Sequence, residues 1–100
     1  MNNRLNDVCA YYARKKRIDE LENVVKITKD LFNVDRNMLY DHLLSACIQA
    51  DKPTRAIAVW TLMQEEGGVV PRDAFLRRLG QFLTAKNMSV PFTIPVSSKT

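Results

Sequence analysis

Shifting this 100-residue chain against itself by 35 positions lays apolar residues on apolar ones and polar on polar. A chain with that period has few folds open to it. Leu5 falls on Tyr40, Asn6 on Asp41, Val8 on Leu43, Cys9 on Leu44, Tyr12 on Cys47, Leu21 on Ala56, Val24 on Val59 and Val25 on Trp60. A further shift of 36, one longer because of the doubled Gly67-Gly68, lays Leu39 on Phe75, Tyr40 on Leu76, Asp41 on Arg77, Leu43 on Leu79 and Cys47 on Leu83. Units of this kind cannot bury their apolar faces alone and do so by stacking on one another. The period sets the expected organisation: one unit over 2–36, a second over 37–72, a half unit or capping helix over 73–88, and an extended tail over 89–100.

Within each unit the apolar spacing is helical. Leu5, Val8, Cys9 and Tyr12 keep the i, i+3, i+4, i+7 pattern, and Ile18, Leu21, Val24, Val25, Thr28 and Leu31 resume it after the charged break Arg14-Lys15-Lys16-Arg17. Leu39, Tyr40, Leu43, Leu44, Cys47 and Ile48 make a third stripe, Ala56, Ile57, Val59, Trp60 and Met63 a fourth, and Phe75, Leu76, Leu79, Phe82 and Leu83 a fifth. No stretch alternates with period two for long enough to read as a strand. The fold class expected is all-α: a short α-solenoid of two helical hairpins plus a C-terminal capping helix, with helices near 3–14, 18–32, 38–50, 53–66 and 73–86. Pro53 suits the first turn of its helix, and Asn33 and Gly67-Gly68 suit helix ends. Pro91 and Pro95 keep the segment after the fifth helix extended. Trp60, on its stripe, is expected between the second hairpin and the capping helix.

Composition removes several classes of function. No apolar run approaches the roughly 18 residues of a membrane helix, and the polar start Met1–Leu5 with early acidic residues is neither a signal peptide nor an organelle presequence. Cys9 and Cys47 are too few for a disulfide framework, and His42 stands alone, so neither a structural metal nor a cofactor is expected. His42 has no nucleophile or carboxylate at a recognisable spacing, and no Gly-rich phosphate loop is present. No enzyme chemistry and no small-molecule substrate are expected. The net charge of +4 is unevenly placed, at +2 over 1–36, −1 over 37–72 and +3 over 73–100. Basic ends permit contact with nucleic acid or an acidic partner, although a solvated surface has the same arithmetic.

The second unit resembles the pentatricopeptide repeat (PPR) family. The run Asn37-Met38-Leu39-Tyr40-Asp41-His42-Leu43-Leu44-Ser45-Ala46-Cys47 has that family's Tyr, following polar residue and apolar pair in order, and Ala56 through Met63, then Gly67 and Pro71, matches its second helix and ending. The early Trp and Gly-Tyr signature of the neighbouring tetratricopeptide repeat is absent. Leu76-Arg77-Arg78-Leu79-Gly80-Gln81-Phe82-Leu83 followed by Val90-Pro91-Phe92-Thr93-Ile94-Pro95 resembles the C-terminus of the leucine-rich PPR-motif-containing proteins of animal mitochondria, which in flies include the bicoid stability factor. This resemblance implies a mitochondrial RNA-binding module that acts in messenger RNA stability, single-stranded RNA as ligand and a small RNA-recognition-motif protein as partner. Its alternative is a helical-repeat scaffold for protein partners.

Carried over from the family, the base-reading positions are Asn3, Asn6 and Arg36 in the first unit, Met38, Asp41 and Arg72 in the second, and Ala74 and Arg77 in the third. Only Asn6 is of the type the family uses there, and Asp41 beside Arg72 is set to pair internally. Phosphate contact asks only for reachable positive charge. Arg14 matches the basic residue that the family often has at the end of a first helix, and Lys15, Lys16 and Arg17 extend the charge through the turn. A hairpin tip kept in water is the plain alternative. Tyr12, Tyr40 and Trp60 fall on stripes and read as core, whereas Tyr11 lies one step off its stripe beside the basic turn, where its ring could stack a base.

Overall fold

The computed structural model describes residues 3–31, 34–67 and 69–95. Among these are five α-helices and no strand: α1 Asn3–Arg14, α2 Ile18–Ile27, α3 Arg36–Gln49, α4 Pro53–Glu66 and α5 Asp73–Ala85. No helix is long and apolar enough to cross a membrane among the described residues.

The third helix is the hub. It packs against each of the other four, so its apolar residues are spread around the helix and not gathered in one stripe. Leu39, Tyr40, Leu43, Leu44, Ala46 and Cys47 are buried, and only Gln49 of the helix is exposed. The flanking helices bury one face each: Cys9 and Ala13 of α1, Leu21 and Val25 of α2, Ala56, Val59 and Met63 of α4, and Phe75, Leu79 and Leu83 of α5. The core is therefore one continuous apolar layer centred on α3.

Three helices end in the same way, at the spacing of the repeat. Lys16, Asp51 and Asn87 all hold positive φ, at 59°, 60° and 60°. The next N–H in each case reaches back to a carbonyl five residues earlier: Arg17 to Tyr12, Lys52 to Cys47 and Met88 to Leu83, each at 2.9 Å. This double-capped helix end satisfies carbonyls that the helix cannot. It uses left-handed residues that are not glycine, so the composition did not advertise it. Gly67 at φ 81° ends α4 as expected; Asn33 and Gly68 lie outside the described residues.

The second helix departs from expectation. It stops at Ile27 rather than near residue 32, and Leu31, placed on the apolar stripe by its spacing, is 58% exposed. The cause is Arg36, which begins α3 two residues earlier than expected. Its Nη2 donates to the orphan carbonyl of Val25 (2.9 Å) and its Nη1 to Thr28 Oγ1 (2.8 Å), while the Thr28 hydroxyl donates to Val24 O (2.6 Å). The last turn of α2 is thus capped from α3. Asp35 caps α3 in turn, accepting from the Met38 N–H at 3.1 Å.

Arg36 is also the centre of a half-buried ionic cluster. Its Nε and Nη2 donate to the two carboxylate oxygens of Glu66 at 2.8 and 2.9 Å, and the Tyr40 hydroxyl donates to Glu66 Oε1 at 2.6 Å. Both charged side chains are only 14% exposed. A bidentate, triply hydrogen-bonded carboxylate is the geometry in which a buried pair is strongest. It ties the ends of α2 and α4 to the start of α3.

Candidate nucleic-acid interface

Four cations stand together where α1 turns into α2. Arg14 is the last helical residue, Lys16 takes the left-handed conformation, and Arg17 opens α2, so the backbone turns outward within three residues. Arg14, Lys15, Lys16 and Arg17 are all exposed. Arg17 pairs with Glu20 at 3.1 Å with its side chain 58% exposed, an arrangement that water and salt readily exchange. Arg14, Lys15 and Lys16 have no ion-pair partner among the described residues. Tyr11 is 48% exposed beside them, with the Lys15 ammonium 5.8 Å from its ring centroid and the Tyr12 ring tilted against it at 5.9 Å. The turn joins unpaired positive charge to an accessible aromatic face.

The other candidates are on a face formed by the first helix of each hairpin, and there the polar groups hold one another. His42 Nε2 lies 2.8 Å from Asn6 Oδ1, so the ring in its Nε2–H form donates from α3 to α1. Burial lowers the pKa of His42 against the opposing pull of Asp41, which favours that neutral ring. Arg78 donates to Ser45 Oγ at 2.7 Å, from α5 to α3. Arg72 sits 3.6 Å from Asp35 and 4.0 Å from Asp41. Burial raises the Asp41 carboxyl pKa, with Arg72 and Arg78 working the other way. Asn6, Asp41 and Arg72 therefore share one face, each already bonded across elements.

Arg36 is not with them. The expectation that it faces outward from the end of the first unit is corrected by its position in the ionic cluster, where Glu66, Thr28 and Val25 take its donors. Arg77 is half-buried on α5 and has no ion pair among the described residues. Asn3 lies in α1, its side chain outside the described residues. Tyr40 is 1% exposed, with burial first and the Glu66 bond second raising its hydroxyl pKa, so it is core and no stacking platform. Cys9 and Cys47 are free and buried, and burial pushes the Cys47 thiol up to about 12, which leaves it unreactive. The cross-helix bonds of His42 and Arg78 were not read from the sequence, although their offsets from Asn6 and Ser45, 36 and 33 residues, are close to the period.

Over 92 residues the chain is 37% identical to the mitochondrial leucine-rich PPR motif-containing proteins of Mus musculus and Rattus norvegicus, covering 92% of this chain and 6% of each relative. It is 38% identical over 79 residues to the same protein of Xenopus tropicalis, covering 79% of this chain and again 6% of the relative. The chain thus spans about 6% of the length of these relatives. No protein-family model matches it, and no solved structure matches it significantly.

Proposed function

Because the chain resembles the C-terminal end of the leucine-rich PPR motif-containing proteins over nearly its whole length, we propose that it is an RNA-binding repeat module whose main contact is with phosphate. The observation that carries this reading is the exposed turn Arg14–Arg17, with three cations free of ion pairs among the described residues and Tyr11 at its edge. The relatives are mitochondrial by name, and a mitochondrial location comes to this chain with the resemblance. In that setting the module adds backbone affinity to messenger RNA binding and stabilisation, beside a small RNA-recognition-motif protein as partner.

The test is a titration with single-stranded RNA at several salt concentrations. Three to four neutralised phosphates give a slope of the logarithm of affinity against the logarithm of salt of about −2 to −3, at roughly −0.7 per phosphate. Replacing Arg14, Lys15, Lys16 and Arg17 with Gln flattens that slope and leaves helical content unchanged, since none of the four is buried. Equal RNA affinity in the four-fold variant refutes the reading. A second reading, a scaffold for protein partners, is favoured by one observation: Asn6, Asp41 and Arg72 already have intramolecular partners. A protein interaction that survives the four-fold substitution while RNA affinity stays absent selects it.

A further inference from the structure

After α5 the chain does not leave the fold. The Met88 N–H is bonded to Leu83 O at 2.9 Å, and from there the backbone crosses the end of the helical stack, bending at Pro91 and Phe92 where the prolines predicted a continuously extended segment. Met88, Val90, Phe92 and Ile94 are half-buried, whereas Ser89, Pro91 and Thr93 between them are exposed. This is the period-two alternation of a segment with one face on apolar ground. The Phe92 ring lies against Trp60 of α4 with centroids 5.7 Å apart and planes tilted by 33°. Ile94 fills a notch made by Gly80 of α5: its Cγ1 and Cδ1 lie 2.5 and 2.6 Å from where a Cβ on Gly80 would stand.

Gly80 is the informative residue. Glycine is among the poorest choices for a helix interior, and at φ in the ordinary helical range nothing in the backbone requires it here. What requires it is the incoming side chain. Among the described residues, no hydrogen bond joins 89–95 to the helices, and Pro91 and Pro95 have no N–H to offer. The segment is therefore held by side chains seated at i, i+2 and i+4, with none of the backbone pairing that would make it an integral strand. Pockets for alternate side chains are the part of peptide recognition that sets specificity.

We propose that the surface between α4 and α5 is a binding groove for a short apolar segment of pattern Val-x-Phe-x-Ile, occupied in cis by the chain's own residues 88–94 and open to exchange in trans. Trp60 is the platform for the aromatic residue, and the Gly80 notch selects a branched aliphatic two positions on. Covalent attachment holds the resident segment at a high local concentration, so it keeps the groove filled through modest contacts. The inference does not rest on the RNA reading.

Trp60 is the chain's one tryptophan, and its fluorescence reports the groove directly with no nucleic acid present. In the Ile94→Asp chain the segment is released, and the emission moves to the red while helical circular dichroism is kept. A synthetic peptide carrying residues 88–95 then restores the original emission saturably; the same peptide with Phe92→Ala does not. The parent, whose groove is filled, needs at least about ten-fold more peptide for any response. Gly80→Leu fills the notch, reddens the emission and blocks recovery. Should that chain lose helix, Gly80→Ala adds a single methyl and weakens the peptide by about ten-fold when combined with Ile94→Asp. Unchanged emission in Ile94→Asp overturns the proposal, as does a failure of the peptide to restore it. Recovery in a folded Gly80→Leu chain as complete as in Ile94→Asp removes the notch from the site.

Discussion

Removing the carboxylate of Glu66 is the sharpest single perturbation this fold offers. In Glu66→Ala the Arg36 guanidinium, 14% exposed, loses its bidentate partner, and the Tyr40 hydroxyl loses its acceptor inside the stack. Breaking one side of a buried pair costs about 3 to 5 kcal/mol, because the charge left behind is neither paired nor solvated. The lower figure applies here, since the pair keeps some access to water and Thr28 and Val25 still hold two of the Arg36 donors. For a domain of this size, about 3 kcal/mol lowers the melting temperature by roughly 12 °C or more. The exposed carboxylate of Asp19, 84% exposed and 2.8 Å from Arg55, is the control: Asp19→Ala leaves Arg55 its Glu22 partner at 3.0 Å and costs at most about 1 kcal/mol. Acidity gives a second readout. The Arg36 hydrogen bonds, ahead of the opposing effect of burial, hold the Glu66 carboxyl below its ordinary 4.5. An acid with a lowered folded value stabilises the fold above the unfolded value and loses that contribution as pH falls through the folded one. The stability gap between the parent and Glu66→Gln is therefore constant above about pH 5.5 and closes below the ordinary carboxylate value. A melting temperature in Glu66→Ala within a few degrees of the parent, or a gap independent of pH down to 3, refutes the account of the cluster.

Two further outcomes are expected from the helix ends and the groove. Lys16→Gly relieves a left-handed side-chain residue at φ 59° and raises stability by about 0.5 to 1 kcal/mol in thermal melts; because it also removes a cation, the salt slope of RNA binding falls by about 0.7. Trp60→Ala costs about 2 kcal/mol, less than the 3 to 5 of a fully buried aromatic, since Trp60 is half-buried and has Phe92 of the tail against its ring. Limited proteolysis of that variant cuts first within 88–95.

What could be read in advance divides along the range of the interaction. The stripes of α1, α4 and α5 are local patterns and gave the helices nearly to the residue. Period 35 orders the first-helix face, where Lys16, Asp51 and Asn87 repeat one helix end at intervals of 35 and 36. Arg36 was misplaced because its partners Glu66, Thr28 and Val25 are set by the packing of three helices, and no offset in the sequence distinguishes an arginine that caps a neighbour from one that faces solvent. Leu31 was assigned to the core for the same reason, since the cap that ends α2 before it comes from α3. The tail is different, because its signals were present: Met88, Val90, Phe92 and Ile94 alternate at period two, and Gly80 interrupts an otherwise good helix. Two prolines outweighed them, although proline forbids only backbone pairing and leaves side chains free to dock.

For the RNA-binding role proposed above, the pairing across the first-helix face limits how far the module would discriminate between bases. A side chain that reads a base edge bidentately contributes about 1 to 3 kcal/mol of preference when it starts unpaired. Here Asn6 must first give up the His42 bond, a neutral hydrogen bond worth about 1 kcal/mol net. Releasing Asp41 costs less, because its contact with Arg72 at 4.0 Å is long and exposed, but any base it accepts from competes with that cation. The net preference left at Asn6 is centred on about 1 kcal/mol, the middle of about 1 to 3 less about 1, which is a factor of about five in affinity. Oligomers of U, A and C of equal length therefore bind within about five-fold of one another at fixed salt, and His42→Ala, which frees Asn6, widens the spread while the salt slope stays the same. A preference above twenty-fold in the parent that disappears in Asn6→Ala would show that the face reads bases despite its pairing, and would move the centre of RNA recognition from the basic turn to α1 and α3.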